Sequence, residues 1–256
     1  DEIEGGWPDP VYGHVPLIHG PDGAKMSKRH GAVGVEGYRD EEGVLPEALF
    51  NYLLRLGWGH GDREEITKSE AIELFDLDGV GKGPARFDIK KLQNLNGHYI
   101  READDARLAK IVAARMDKQA DLDLLTRAMP FLKTRAKSIN ELVEGAAFLF
   151  AERPLEMTEK AAGLLDDEAR QRLAGLSEML HVQNDWTIEA LEATTKAYAE
   201  QLELGLGKLA QPMRAALTGT TTSPGIFDVL VLLGKEESLL RIDAQAASPA
   251  GTEENE

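Results

Sequence analysis

The sequence predicts a mainly α-helical fold. Apolar residues recur at helical spacing over most of the chain, and helix-start signals precede several of these stretches. From Asp104 onward almost no segment shows the alternation of apolar and polar residues that is typical of a strand. Packing amphipathic helices in two layers is the economical way to bury such stripes, so we expect helical bundles.

The first part of the chain predicts one strand followed by helices. Residues 11–20 place apolar side chains between glycines, which predicts a short buried strand that enters a glycine-rich turn. Pro46 suits the first turn of a helix, and Gly57 suits its end. Thr67 and Glu70 have the spacing of a capping box and predict the start of another helix.

A further helix is expected after Asp88, which can cap it, and before the Asn96-Gly97 pair, which is expected to stop it. The loop that precedes it holds no known ion or nucleotide motif. Residues 76–87 fail as a calcium loop because Phe87 stands where a bidentate acid is required, and Gly81-Lys82-Gly83 lacks the spacing of a phosphate-binding P-loop.

The second part predicts helices only. Ser138 and Glu141 form a second pair with capping-box spacing. The Ser223-Pro224 pair is expected to start the last helix, which is expected to run to Gly234. The other apolar stripes predict helices over about 108–116, 122–132, 166–180, 187–204 and 208–217.

Composition limits the class of partner. The formal net charge is −16, which opposes binding to nucleic acids, and the absence of cysteine excludes disulfides and thiolate chemistry. Binding nevertheless depends on local charge, and residues 124–140 carry four bases and no acid. No long apolar run or signal peptide is present, so we expect a cytoplasmic location.

A basic loop carries the strongest chemical signal. It reads His19-Gly20-Pro21-Asp22-Gly23-Ala24-Lys25-Met26-Ser27-Lys28-Arg29. The glycines allow tight turns, and the cations that follow them suit the negative charge that develops on phosphate groups during phosphoryl or nucleotidyl transfer. A solvated basic turn is the simpler interpretation of any short run of bases.

The full string resembles the KMSKS signature of class I aminoacyl-tRNA synthetases, in the KMSKR form of glutamyl-tRNA synthetases. Three further blocks resemble the same family in the same order along the chain. They are Leu45-Pro46-Glu47-Ala48-Leu49 with Leu56-Gly57-Trp58, then Phe87-Asp88 to Arg101, and then Pro212-Met213-Arg214-Ala215-Ala216-Leu217 with Leu232-Leu233-Gly234-Lys235. Several ordered blocks are far more specific than one five-residue motif.

The resemblance implies a mainly α fold in which a remnant of an α/β catalytic domain precedes helical parts. It implies a catalytic remnant with the KMSKR loop over residues 1–40 and a helical stem-contact domain over 41–102. Two anticodon-binding helical subdomains follow over 103–153 and 154–247, and a disordered tail over 248–256. Because the chain begins without Met, we expect it to be the C-terminal fragment of a longer enzyme.

The resemblance also implies a mechanism. Such an enzyme activates glutamate with ATP, bound with Mg²⁺, and transfers the glutamyl group from an adenylate to the 3′ end of tRNA-Glu. Lys28 is the first choice for the catalytic phosphate contact and Lys25 the second. Met26, Ser27 and Arg29 complete the ATP-binding loop.

One departure from the family pattern limits this expectation. No HIGH-type motif and no glutamate pocket are recognisable in the 256 residues, and no metal-ligand spacing is present. We therefore expect these residues alone not to aminoacylate. Exchange of pyrophosphate into ATP that depends on glutamate, measured on the purified chain, would contradict this expectation.

The resemblance assigns the helical half to the anticodon arm and the region from Lys82 to Arg101 to the inner stem of tRNA. Candidate contacts are Arg127, Lys133, Arg135 and Lys137 in the acid-free stretch, with Arg214 as a weaker candidate. Each can equally be a solvated helix residue, and Arg214 a structural cap. The expected partners are tRNA-Glu, with tRNA-Gln left open, and no membrane; the expected state is a monomer.

Two alternatives remain at this point. The chain can be a stand-alone all-α module that binds RNA or protein and has no ligase activity. It can also be a tRNA-modifying relative that keeps only the catalytic core, although such relatives lack the long helical part predicted here.

Overall fold

The computed structural model describes residues 10–26, 34–116 and 120–246 and confirms the mainly helical fold. The chain divides into two compact units. The first unit comprises Asp1–Ala103 with Arg135–Asn140, and the second comprises Asp104–Thr134 with Glu141–Glu256. The expected disordered tail over 248–256 lies outside the described residues.

The first unit combines short helices with a two-residue strand pair. Its elements are β1 (Ile18–His19), α1 (Val35–Asp40), α2 (Pro46–Gly57), α3 (Lys68–Leu74), β2 (Ala85–Arg86) and α4 (Ile89–Glu102). The strands β1 and β2 are parallel, with Ile18 opposite Ala85 and His19 opposite Arg86.

Three helix-start predictions in this unit are confirmed. Pro46 is the first residue of α2, and Asp88 caps α4 by accepting hydrogen bonds from the backbone N–H groups of Lys90 and Lys91. Thr67 and Glu70 form a complete capping box at α3. The hydrogen bonds from the Thr67 backbone and from Arg63 lower the pKa of Glu70 to about 2. This carboxylate therefore remains ionised at pH values at which an ordinary glutamate is protonated.

The predicted strand over residues 11–20 is wrong in both length and burial. Only Ile18 and His19 are in a strand, while Val11 and Val15 are 79% and 67% exposed. An apolar strand is buried only where layers cover its faces. The described part of this unit supplies a strand partner of two residues, Ala85 and Arg86.

The predicted stop of α4 at Asn96-Gly97 is also wrong, since the helix continues to Glu102. Asn96 is fully buried. Its side-chain amide forms with the protein backbone the hydrogen bonds that an exposed asparagine forms with water. Its Oδ1 accepts a hydrogen bond from the backbone N–H of Leu45 at 2.8 Å, and its Nδ2 donates to the carbonyls of Gly43 at 3.2 Å and Lys137 at 2.7 Å. The carbonyl of Gly43 also accepts from the backbone N–H of Ile139 at 2.9 Å. One side chain therefore joins three separate segments of the first unit.

The second unit is built from helices. Its elements are α5 (Asp105–Ala113), α6 (Leu122–Leu132), α7 (Ile139–Ala146) with a 3₁₀ turn (Ala147–Phe150), α8 (Glu159–Ala162), α9 (Asp167–Val182), α10 (Ile188–Gln201), α11 (Gly207–Thr218) and α12 (Ile226–Ala246); the first two residues of α7 belong to the first unit. Helix α9 packs extensively on α12, and α5 packs on α6. The predicted helices over 166–180, 187–204 and 208–217 are confirmed with small shifts at their ends.

Arg241 is a charged residue inside this second unit, with only 2% of its surface exposed. Its guanidinium donates to the carbonyls of Phe148 at 2.9 Å, Leu217 at 2.7 Å and Ala151 at 3.2 Å. Its Nε donates to Glu237 at 2.7 Å. The carbonyls at the ends of the 3₁₀ turn and of α11 thus obtain the hydrogen bonds that a helix end cannot supply itself.

The predicted last helix is wrong at its start and right at its end. It begins at Ile226 rather than at Ser223, whose carbonyl and hydroxyl oxygens accept hydrogen bonds from Arg214. Gly234 has φ 76° and ψ 168°, a non-helical conformation that is essentially restricted to glycine, so the first helical segment of α12 ends here as predicted. A second helical segment follows Gly234 and runs to Ala246.

The role of Asn96 predicts a large effect of substitution. Asn96→Ala leaves the buried N–H of Leu45 and the carbonyl of Lys137 without the amide, so we expect a loss of about 3 kcal/mol in the free energy of unfolding. Asn94→Ala, on the exposed side of the same helix, is the matched control and should change it by less than about 0.5 kcal/mol. Urea unfolding of both variants measures the difference, and equal losses would show that Asn96 has no special role.

Candidate nucleotide- and RNA-binding site

A tight hairpin presents the basic loop. After β1, the N–H of Gly20 donates to the carbonyl of Ala24 at 2.9 Å, and the N–H of Gly23 donates to the carbonyl of Gly20 at 3.0 Å. The carboxylate of Asp22 accepts from the N–H of Ala24 at 3.0 Å. Gly23 has a φ of 79°, which side chains disfavour. The sequence Gly-Pro-Asp-Gly therefore fixes the turn through its own backbone and one short side chain.

The chain returns beside β1 immediately after this turn. The N–H of Met26 donates to the carbonyl of Ile18 at 2.9 Å, and Lys25 lies directly opposite His19 in an antiparallel bridge. Lys25 is exposed and Met26 is half-buried. Of the predicted ATP-binding residues, Ser27, Lys28 and Arg29 lie outside the described residues.

Arg86 lies at this hairpin although it follows Lys25 by many residues in sequence. Its terminal nitrogen is 3.6 Å from the position that a Cβ on Gly23 would occupy. Sequence reasoning missed this neighbour because a two-residue strand, Ala85–Arg86, has no periodic pattern that could reveal it.

Two of the candidate RNA contacts belong to the second unit. Arg127 lies on α6 and is exposed. Lys133 follows the last residue of α6, and its Nζ is 2.7 Å from a carboxylate oxygen of Asp105. The side chain of Lys133 is 19% exposed, so this ion pair is partly shielded from solvent. Asp105 was missed as a partner because it lies outside the acid-free stretch.

Two other candidates, Arg135 and Lys137, belong to the first unit and are exposed. The Nζ of Lys137 donates to Oδ1 of Asn94 at 2.9 Å. The acid-free stretch is therefore not one helix face: α6 ends at Leu132 and α7 begins at Ile139, so Arg135 and Lys137 occupy the connection.

Arg214, the remaining candidate, has structural contacts. It is half-buried on α11, and one of its terminal nitrogens donates to the carbonyl and hydroxyl of Ser223 at 3.2 and 2.7 Å and to the carbonyl of Pro224 at 3.1 Å. These bonds hold the segment that leads into α12.

The described parts of the chain contain no group of three or more His, Asp or Glu residues that could hold a metal ion. Among those same ranges, no helix is long and apolar enough to cross a membrane.

Comparison with known families assigns both parts of the chain. Residues 98–246 match the anticodon binding domain family. Residues 4–94 match the catalytic domain of class I tRNA synthetases of the E and Q type. The first of these matches covers more than half of the chain, and it includes most of the helices described above.

Individual relatives agree with these matches. The chain is 78% identical over 246 residues to glutamate–tRNA ligase 1 of Erythrobacter litoralis, covering 96% of this chain and 51% of the relative. It is 66% identical over 252 residues to glutamate–tRNA ligase 2 of Novosphingobium aromaticivorans, with 96% and 52% covered. The chain therefore spans about half the length of the curated relatives that it matches.

Solved structures show the same relationship in three dimensions. The crystal structure of a glutamate tRNA ligase from Elizabethkingia meningosepticum matches with a TM-score of 0.81 at 29% identity, over 94% of this chain and 52% of that one. Glutamate-tRNA synthetase from Elizabethkingia anophelis matches with a TM-score of 0.77 at 28% identity, over the same shares. The chain belongs to the anticodon binding domain family, and it is similar to glutamate–tRNA ligases over about half of their length.

Proposed function

We propose that this chain is the tRNA-binding portion of a glutamate–tRNA ligase. The complete enzyme would attach glutamate to tRNA-Glu with ATP through a glutamyl-adenylate and act in the cytoplasm as a monomer. The match of residues 98–246 to anticodon-binding domains carries this proposal. The match of residues 4–94 to the E and Q catalytic domains supports the choice of amino acid and nucleotide.

The hairpin would contribute the ATP side of the reaction. Lys25 and Lys28 would contact the phosphates of ATP, with Met26, Ser27 and Arg29 completing the loop. The exposure of Lys25 and the backbone bonds that fix the turn before it support this role, because a preplaced cation stabilises a developing negative charge without reorganisation. ATP would bring Mg²⁺ with it, as a substrate complex.

The helical part of the chain would bind the anticodon arm. We assign stem contact to residues 41–102 and anticodon contact to the two helical subdomains over 103–153 and 154–247. Readers of single-stranded RNA loops use exposed arginines and aromatic side chains to contact bases and phosphates. An arginine that binds RNA must have its guanidinium available for that contact.

This requirement separates the candidate residues. Arg127 and Arg135 are exposed, and the described residues contain no carboxylate paired with either of them. Lys133 and Lys137 have partners in Asp105 and Asn94 that fix their positions. The hydrogen bonds of Arg214 to the segment before α12 favour its structural role. We therefore propose Arg127 and Arg135 as the principal RNA contacts.

Binding of tRNA-Glu to purified variants tests this assignment. Arg127→Gln should weaken binding by about tenfold at moderate salt, since it removes a direct contact to a base or a phosphate. Lys110→Gln, an exposed lysine on α5, removes the same charge and is the matched control, with an expected loss below about twofold.

Measurements at several salt concentrations complete the test. Two results would contradict the proposal of anticodon recognition: equal weakening by the two variants, or equal affinity and salt dependence for tRNA-Glu and an unrelated RNA. Either result would mean that the chain binds RNA through charge alone. Comparison with tRNA-Gln in the same series decides whether the chain discriminates between the two tRNAs.

A further inference from the structure

Backbone pairing brings three side chains into a row at the hairpin. His19 on β1 lies opposite Arg86 on one side and opposite Lys25 on the other. Side chains of directly paired residues project to the same face of a sheet, and neighbouring backbones lie about 4.8 Å apart. Lys25, His19 and Arg86 therefore stand next to each other on one face, and we call them the Lys25 row.

The Lys25 row is cationic and accessible. Lys25 and Arg86 are exposed and His19 is half-buried. The described residues contain no carboxylate that pairs with Lys25 or Arg86. The acid of the turn, Asp22, accepts a hydrogen bond from the N–H of Ala24. In a chain with a net charge of −16, two unpaired cations on one short sheet face form a local site for anions.

The scaffold of the row does not depend on its side chains. The N–H of Phe87 donates to the carbonyl of His19 at 2.8 Å, and the N–H of Met26 donates to the carbonyl of Ile18 at 2.9 Å. These backbone bonds hold Arg86 against the hairpin. The guanidinium leans over the Gly23 turn, at 3.6 Å from the position that a Cβ would occupy there.

We propose that Arg86 and His19 extend the phosphate-binding site of the basic loop, so that the Lys25 row contacts the phosphate oxygens of one ligand. The planar guanidinium of Arg86 can bind two phosphate oxygens at once, and Lys25 adds a point charge at the other end of the row. This inference rests on the proposed function and adds to it a cation from outside the loop motif.

Two ligands share this chemistry. One is the polyphosphate of the nucleotide, from which pyrophosphate leaves, and the other is the phosphodiester backbone of RNA. Because the row continues directly into the loop that carries Lys25, we expect the polyphosphate to be the stronger ligand.

The test uses the complete 256-residue chain and inorganic pyrophosphate as the probe, at constant ionic strength. Dissociation constants come from the NMR chemical shifts of the Gly20 and Gly23 amides during titration. A second titration uses a short RNA duplex. The variants are Arg86→Gln and Arg86→Lys, with Lys68→Gln on α3 as the matched loss of one exposed charge. The substitutions of Arg86 should not change the melting temperature, because backbone hydrogen bonds rather than the Arg86 side chain hold this segment against the hairpin.

We expect Arg86→Gln to weaken pyrophosphate binding by about fivefold or more, and Lys68→Gln to have less than a twofold effect. Arg86→Lys should have an intermediate effect, because it keeps the charge and loses the two-point contact. The same pattern seen only with the RNA duplex also supports the row and identifies RNA as the source of the phosphate. Equal effects of Arg86→Gln and Lys68→Gln, or no shift of the Gly20 and Gly23 amides with either ligand, would overturn the proposal.

The outcome is distinguishable from that of the tRNA experiment. If the chain binds tRNA-Glu through Arg127 but Arg86→Gln does not change the binding of either phosphate ligand, the proposed role of the Lys25 row is wrong and the proposed function stands. If Arg86→Gln weakens pyrophosphate binding in a chain that does not recognise tRNA-Glu, the row stands and the proposed function fails.

Discussion

Both units depend on one constraint, which is that backbone groups buried at the ends of short segments must find hydrogen-bond partners. In the first unit, the amide of Asn96 supplies these partners to Gly43, Leu45 and Lys137. In the second unit, the guanidinium of Arg241 supplies them to the carbonyls at the ends of two helical segments. In each unit, a buried polar side chain thus joins segments that are distant in sequence.

The same constraint sorts the basic residues of an acidic protein. Arg241 and Arg214 donate to backbone carbonyls, and Lys133 and Lys137 contact Asp105 and Asn94. Among the described residues of the candidate sites, the exposed cations without such a side-chain partner are Lys25, Arg86, Arg127 and Arg135. With a net charge of −16, the long-range electrostatic interaction with RNA is repulsive, so recognition would have to come from a few local contacts. This is why substitution of a single exposed arginine is an informative experiment.

Sequence patterns predicted the helices well and their ends less well. Apolar spacing located α2, α9, α10 and α11, because an amphipathic stripe is a property of the segment itself. The same glycine signal ended α2 at Gly57 and interrupts α12 at Gly234, but it failed at Gly97. In α4 the amide of Asn96 is used by other segments, and Gly97 allows the carbonyl of Ala136 to lie within 3.3 Å of its Cβ position. Local pattern contains no information on such contacts.

The candidate site was also predictable only in part. The motif located Lys25 within the loop, whereas Arg86 became a neighbour only through the pairing of two-residue strands. The four bases of residues 124–140 looked equivalent in sequence, and their different partners appeared only in three dimensions. Residue type and spacing therefore indicated the chemistry, and the fold decided which cations are available for it.

The central claim is that this chain recognises the anticodon of its tRNA. The most direct measurement is its affinity for tRNA-Glu compared with the same tRNA in which only the anticodon triplet is replaced, at one fixed salt concentration. The account predicts a loss of about tenfold or more, since bases that are read by side chains contribute about 1–3 kcal/mol each. Equal affinity for the two molecules would contradict it.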